Sequence, residues 1–198
     1  MSEILILYYS RHGSTTQLAE HIARGVNKQS NCHARLRTVP PVATETKTAL
    51  SPVPDEGAPY VNLTDLSECD GLILGSPTRF GNMAAALKYF LDGTASDWMS
   101  GSLAGKPGAV FTSTSSMHGG QESTLLSKML PLLHHGMLLV GDPFTEQALV
   151  RTNTGGTPYG ASHLARNQND SVPSEDEIEI AQALGQRVAA IAEKLGRD

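Results

Sequence analysis

Apolar residues recur along this chain in two rhythms. Residues 4–9, 72–75, 109–112 and 137–140 are short, nearly continuous apolar runs. Continuity of that length predicts strands covered on both faces, as in a parallel sheet with helices on each side. Residues 33–39 alternate instead, with Ala34 and Leu36 set against Arg35 and Arg37, which predicts a half-exposed edge strand. Helical spacing fills the intervals. Ser14-Thr15-Thr16-Gln17 reads as a capping box, with Leu18, Ile22 and Val26 on one face behind it. Met83, Leu87, Phe90 and Leu91 form a second stripe, stopped by Gly93. Residues 124–133 form a third, in which Pro131 strains the last turn and Gly136 is placed to end it. The clearest helix lies last: Ile178, Ala181, Leu184, Val188, Ile191 and Leu195 follow Pro173-Ser174-Glu175-Asp176.

Strands alternating with helices predict one α/β domain over residues 1–198, a doubly wound five-stranded parallel sheet. Two excursions interrupt the pattern. Residues 40–60, with Pro40, Pro41, Pro52, Pro54 and Pro59, read as a mobile surface loop, and residues 142–172, rich in Gly, Asn and Thr, as a long loop. No internal repeat is present.

Composition narrows the function. A net charge of −5 argues against nucleic acid, and no polybasic run offers itself to a membrane surface. Met1-Ser2-Glu3-Ile4 is unlike a signal peptide, and no apolar run approaches the roughly 20 residues that span a bilayer. The expectation is a cytoplasmic protein without a membrane anchor. Cys32 and Cys69 form no CxxC, and the histidines lack metal-ligand spacing, so no metal is expected.

In an open parallel sheet, ligands sit outside the carboxyl ends of the strands where strand order reverses. Three strand ends carry unusual chemistry. The first strand runs into Ser10, Arg11, His12, Gly13, Ser14, Thr15 and Thr16. Hydroxyls beside a helix N-terminus suit a phosphate dianion, or simply cap the helix. Neither GxxxxGK nor GxGxxG is present. The third strand leads to Pro77, Thr78, Arg79, Phe80 and Gly81, a turn able to meet a planar heterocycle, or an ordinary strand-to-helix loop. The fourth leads to Ser113, Thr114, Ser115, Ser116, Met117, His118 and Gly119, where small residues allow a flat ring close approach. Three such loops on one sheet edge outweigh any one of them.

The resemblance then becomes specific. Tyr8-Tyr9-Ser10, Gly75-Ser76-Pro77-Thr78-Arg79-Phe80-Gly81-Asn82-Met83, His134-His135-Gly136-Met137 and Gly155-Gly156-Thr157-Pro158-Tyr159-Gly160-Ala161 closely resemble the WrbA family of flavodoxin-like NAD(P)H:quinone oxidoreductases. The resemblance covers nearly the whole chain apart from residues 40–60. It implies a flavodoxin-like sheet of order 2-1-3-4-5, bound FMN, a homotetramer, and two-electron transfer from NAD(P)H to quinones. By position it implies that Ser10, Arg11, His12, Gly13, Ser14 and Thr15 hold the FMN phosphate. Pro77, Thr78, Arg79 and Phe80 would contact the isoalloxazine, and the loop from Ser113 to Gly119 would line the ring and ribityl chain. His134 would lie beside flavin and quinone, and Trp98 would wall the quinone site from a neighbouring subunit. The sequence departs from the family at His12, near the nicotinamide position, where an aromatic residue is common. Its third loop is also longer and poorer in glycine.

The expected reaction is ping-pong, with His134 able to hydrogen-bond or protonate a quinone oxygen. His134 and His135 equally suit a helix C-terminus. A one-electron flavodoxin shuttle is the first alternative; such shuttles tend to be more acidic and to bracket the flavin with aromatics. A non-enzymatic FMN-binding regulatory protein is the second. A receiver domain would need an acidic pair after the first strand, which is missing.

Overall fold

The apolar runs fold into strands whose successive side chains enter two different cores. The computed structural model describes residues 1–42, 57–166 and 172–196. Strand β1 (Ser2–Tyr8) leads into helix α1 (Ser14–Val26), then β2 (Cys32–Thr38), α2 (Leu63–Glu68) and β3 (Gly71–Pro77). Next come α3 (Ala85–Asp92), α4 (Ala95–Ser100), β4 (Pro107–Thr114) and α5 (Gln121–His134). The chain finishes with β5 (Leu138–Leu139), α6 (Gln147–Arg151), β6 (Ser162–Leu164) and α7 (Glu175–Leu195). Ile4, Ile6 and Tyr8 of β1 pack with α1 and α7, whereas Leu5 and Leu7 pack on the other face with Leu87 of α3 and Leu125 of α5. Both faces being covered, the run stays apolar at every position.

All strand pairs are parallel, in the order β2-β1-β3-β4-β5. Leu5 lies opposite Arg35 on one side and Leu72 on the other, and Leu74 lies opposite Val110. β2 is the half-exposed edge its alternation predicts. Its arginines are held by acids: Arg35 Nε is 2.6 Å from Glu3, and Arg37 Nε is 3.0 Å from Asp65. Charged groups along an edge also discourage pairing with another chain.

The fifth position of the sheet is occupied in two pieces. β5 pairs with Pro107 and Gly108 of β4, the chain leaves, and β6 returns to pair with Thr112, Ser113 and Thr114 of the same strand. The expected long loop at 142–172 therefore contains α6 and β6 within its described part. Elements of five and three residues are too short to show periodicity. Residues 43–56 of the proline-rich excursion and residues 167–171 lie outside the described residues.

Three local expectations are corrected. Helix α1 is not opened by a capping box: its N-cap is Gly13, at φ 89°, with no side-chain cap. The polar, glycine-bounded stretch over 94–101 reads in sequence as a surface loop, but Ala95–Ser100, with Trp98, form a helix, α4. The buried stripe of α7 is rotated towards Ile180, Ala181, Leu184, Val188, Ala189 and Ala192, leaving Ile178 half-buried and Leu195 exposed. The rotation follows from α1, which crosses α7 at glycines. A Cβ on Gly185 would lie 2.1 Å from the carbonyl oxygen of Ile22, and one on Gly25 would lie 1.9 Å from that of Gln182. The helices touch backbone to backbone, so small residues set the contact face. No helix among the described residues is long and apolar enough to cross a membrane.

Candidate functional site

β1 is the point where the sheet's winding reverses, since β2 lies on one side of it and β3 on the other. The loops leaving β1, β3 and β4 therefore diverge and leave a cleft above the sheet. The cleft holds about 360 Å³, within the range of small-molecule sites. The first loop contributes Ser10, Arg11, His12, Ser14 and Thr15, the second Pro77, Thr78 and Arg79, and the third Ser113, Thr114 and Ser115. The structure thus brings the three loops named from the sequence to one place.

The first loop is built for an anion. Gly13, in the left-handed region, turns the chain sharply into α1. No side-chain cap occupies the amides of the first turn, and Ser14 and Thr15 of that turn line the cleft, where the helix dipole favours negative charge. Ser10 Oγ is buried and finds no hydrogen-bond partner among the described residues. An orphaned buried hydroxyl costs free energy unless a ligand completes it, and a phosphate oxygen would. The lining carries Arg11, Arg79 and Arg166 and, among the described residues, no carboxylate.

The other two loops are braced against each other. Thr78 N–H donates to Ser113 O at 2.9 Å, and the hydroxyls of Thr78 and Thr124 are 2.7 Å apart. Arg79 turns its guanidinium back to Thr78 O at 2.7 Å. Phe80 is fully exposed and sits at φ 53°, a backbone conformation costing a non-glycine residue about 1–2 kcal/mol. Such strain persists where surrounding structure enforces it, commonly at binding sites. Phe80 stands at the rim rather than in the lining. Ser116, Met117, His118 and Gly119 likewise continue the third loop outward and are exposed. Within it, Thr114 Oγ1 donates to Ser116 O, and Gln121 Nε2 donates to Met117 O.

His134 and Trp98 are elsewhere. Both line a second groove, with Leu91, Thr94, Pro131 and His135. There His135 Nε2 lies 3.0 Å from Thr94 Oγ1, and burial is the main cause lowering the His135 pKa. α5 has 14 residues and so separates His134 from the cleft end of its own helix by about 20 Å. Trp98 is 55% exposed.

Ala165 and Arg166 also line the cleft and were missed in the sequence. They follow β6 directly, and Ala165 N–H donates to Thr114 O at 2.8 Å. Their signal was faint: a cation a few residues beyond the Gly155-to-Ala161 motif. Glu177, on α7, holds that segment in place. It accepts hydrogen bonds from the N–H groups of Gly155 and Leu164, at 2.7 and 2.9 Å, and caps its own helix through Ser174.

Known proteins resemble this chain in sequence and in fold. The family described as NADPH-dependent FMN reductase matches residues 3–147. A protein of Solidesulfovibrio magneticus named NAD(P)H dehydrogenase (quinone) is 41% identical, over 97% of this chain and 98% of its own. A WrbA-like flavodoxin structure from Agrobacterium tumefaciens superposes with a TM-score of 0.70 at 24% identity, covering 98% of this chain and 99% of that one. An archaeal flavodoxin structure gives 0.64 at 19% identity, covering 96% and 99%. At these identities the two structures bear on the fold alone.

Proposed function

The chain belongs to the NADPH-dependent FMN reductase family, and from that premise we propose that it reduces quinones by a ping-pong mechanism, one flat surface serving donor and acceptor in turn. It is an oxidoreductase flavoprotein whose cofactor is FMN, with NAD(P)H as electron donor. The observation that carries the reading is the cleft where the loops of β1, β3 and β4 meet at the winding reversal.

Ser10, Ser14, Thr15 and the first turn of α1 hold the phosphate, with Arg11 and Gly13 shaping that end. Pro77, Thr78 and Arg79 orient the ring edge, and Ser113, Thr114 and Ser115 underlie it. FMN supplies the hydride-accepting and hydride-donating chemistry. His12, exposed in the lining, meets the nicotinamide. Phe80 and the outer residues Ser116, Met117, His118 and Gly119 narrow the entrance and exclude water.

The groove of His134 and Trp98 serves the cleft of another subunit in a homotetramer. What supports this is the distance from its own cleft, together with exposed Trp98, Met99, Leu130, Leu133 and Leu138 around that end of the molecule. Large apolar side chains gathered on one region favour burial against a partner. From there His134 donates a hydrogen bond or proton to the quinone oxygen. The cysteines are both buried and unpaired, in keeping with a cytoplasmic location.

Steady-state kinetics with NADH and benzoquinone test the scheme. Double-reciprocal plots are expected to be parallel, with high quinone competing against NADH. Intersecting lines would mean that both substrates bind together and would overturn it.

A further inference from the structure

Lys128 lies on α5 and is completely buried. Its Nζ donates to the carbonyl oxygen of Phe111 on β4 and lies 3.5 Å from that of Ser76 on β3. Ser76 O also accepts Thr112 Oγ1 at 2.8 Å, and Ser76 Oγ accepts Ala84 N–H at 2.8 Å. The lysine therefore ends at the knot from which the second and third cleft loops leave. Ser76 adjoins Pro77, and Phe111 is two residues before Ser113, both of which line the cleft. At about 3.3 Å per residue, the nitrogen is within roughly 7 Å of the cleft wall.

A buried lysine normally has a carboxylate partner. This one has none. β3 and β4 contain no ionisable side chain, and the other ionisable groups of α5, Glu122 and His134, are exposed near its ends. On the cleft side the charged or titratable groups are Arg11, His12, Arg79 and Arg166. Two carbonyl oxygens satisfy both N–H bonds of a neutral amine, whereas the third N–H of an ammonium would find no acceptor among the described residues. Burial alone pushes the Lys128 pKa well below its ordinary value.

We propose that Lys128 is a positioning residue that balances charge for the cofactor cleft, fixing the β3 and β4 loop ends and taking up a proton when electrons enter. A hydride arriving from NAD(P)H carries two electrons and one proton, leaving the cleft one unit more negative. The Lys128 amine then binds a second proton, drawn from solvent, and becomes the ammonium. When hydride leaves to the quinone, that proton returns to solvent. A unit negative charge at the cleft wall, roughly 7 Å away, would raise the amine's proton affinity about fiftyfold at an effective dielectric near 20. By reciprocity, protonation favours the reduced holoenzyme over the oxidised one by the same factor.

The test is the reduction potential of the FMN-loaded protein between pH 6 and 9, with the slope read as protons per two electrons. The wild-type protein is expected to take up one proton more than Lys128→Met across part of that range. The variant should keep its yellow FMN spectrum, which separates failure of this proposal from failure to bind FMN. If Lys128→Met does not fold, His12→Asn substitutes: retention of the extra proton in it supports Lys128, and its loss overturns the proposal. A wild-type slope with no extra proton, or an extra proton retained in Lys128→Met, also overturns it.

Discussion

Glu177 Oε2 lies 2.9 Å from Nδ1 of His163, both side chains almost wholly buried. The pair joins the start of α7 to β6, and so holds the segment ending in Ala165 and Arg166 against the cleft. Burial alone would raise the carboxyl's pKa, but His163 and the N–H groups of Leu164 and Ser174 outweigh it and bring the value down to about 2.

Acid should therefore loosen this region. The folded carboxyl titrates below its ordinary 4.5, so its stabilisation is complete above that value and fades as pH falls toward about 2. Lowering by two to three units corresponds to about 3 kcal/mol. Glu177→Gln should unfold at lower temperature at pH 7 and show a flatter stability profile between pH 2 and 5. Melting curves that stay parallel to wild type across that range would reject the assignment.

Phosphate recognition should separate FMN from riboflavin. Each charge-assisted hydrogen bond from the first loop contributes about 1.5–3 kcal/mol, so FMN should bind more tightly by orders of magnitude. Thr15→Val should weaken FMN binding without unfolding the protein, as fluorescence titration and circular dichroism would show. Equal affinity for riboflavin and FMN would place the phosphate elsewhere.

His134→Ala should lower turnover roughly 10²–10⁴-fold if the imidazole transfers the proton. A loss below about tenfold would leave it the role of ending α5. Trp98→Ala should raise the quinone KM more than it changes FMN affinity. Light scattering should show a tetramer, or a dimer–tetramer equilibrium shifted upward by FMN. A strict monomer with full quinone reductase activity would exclude the shared site.

Gly185→Ala tests the α1–α7 contact. The added methyl would meet Ile22 O at 2.1 Å, forcing the helices apart at a cost of about 1–3 kcal/mol. Thermal unfolding should report the loss, while affinity for FMN in the remaining folded protein stays near wild type.

The sequence by itself determined five of the six strands, their parallel sheet and the three loops that carry the cleft. Runs such as Ile4-Leu5-Ile6-Leu7 are apolar because two cores meet on one strand, and that demand is written locally. Hydroxyls at Ser10, Ser14 and Thr15 are legible for the same reason, since they stand next to the strand that delivers them. Tertiary structure alone decided the rest. Ala165 and Arg166 reach the cleft through three residues of β6 and the grip of Glu177, contacts between segments far apart in the chain. Which face of α7 is buried followed from the glycine crossing with α1, not from its own periodicity. The length of a single helix put His134 at the far end of α5 from the cleft, and a linear motif carries no such distance. Lys128 reads in sequence as an ordinary helical lysine. Only the packing of α5 onto β3 and β4 buries it, leaving two carbonyl oxygens in place of water.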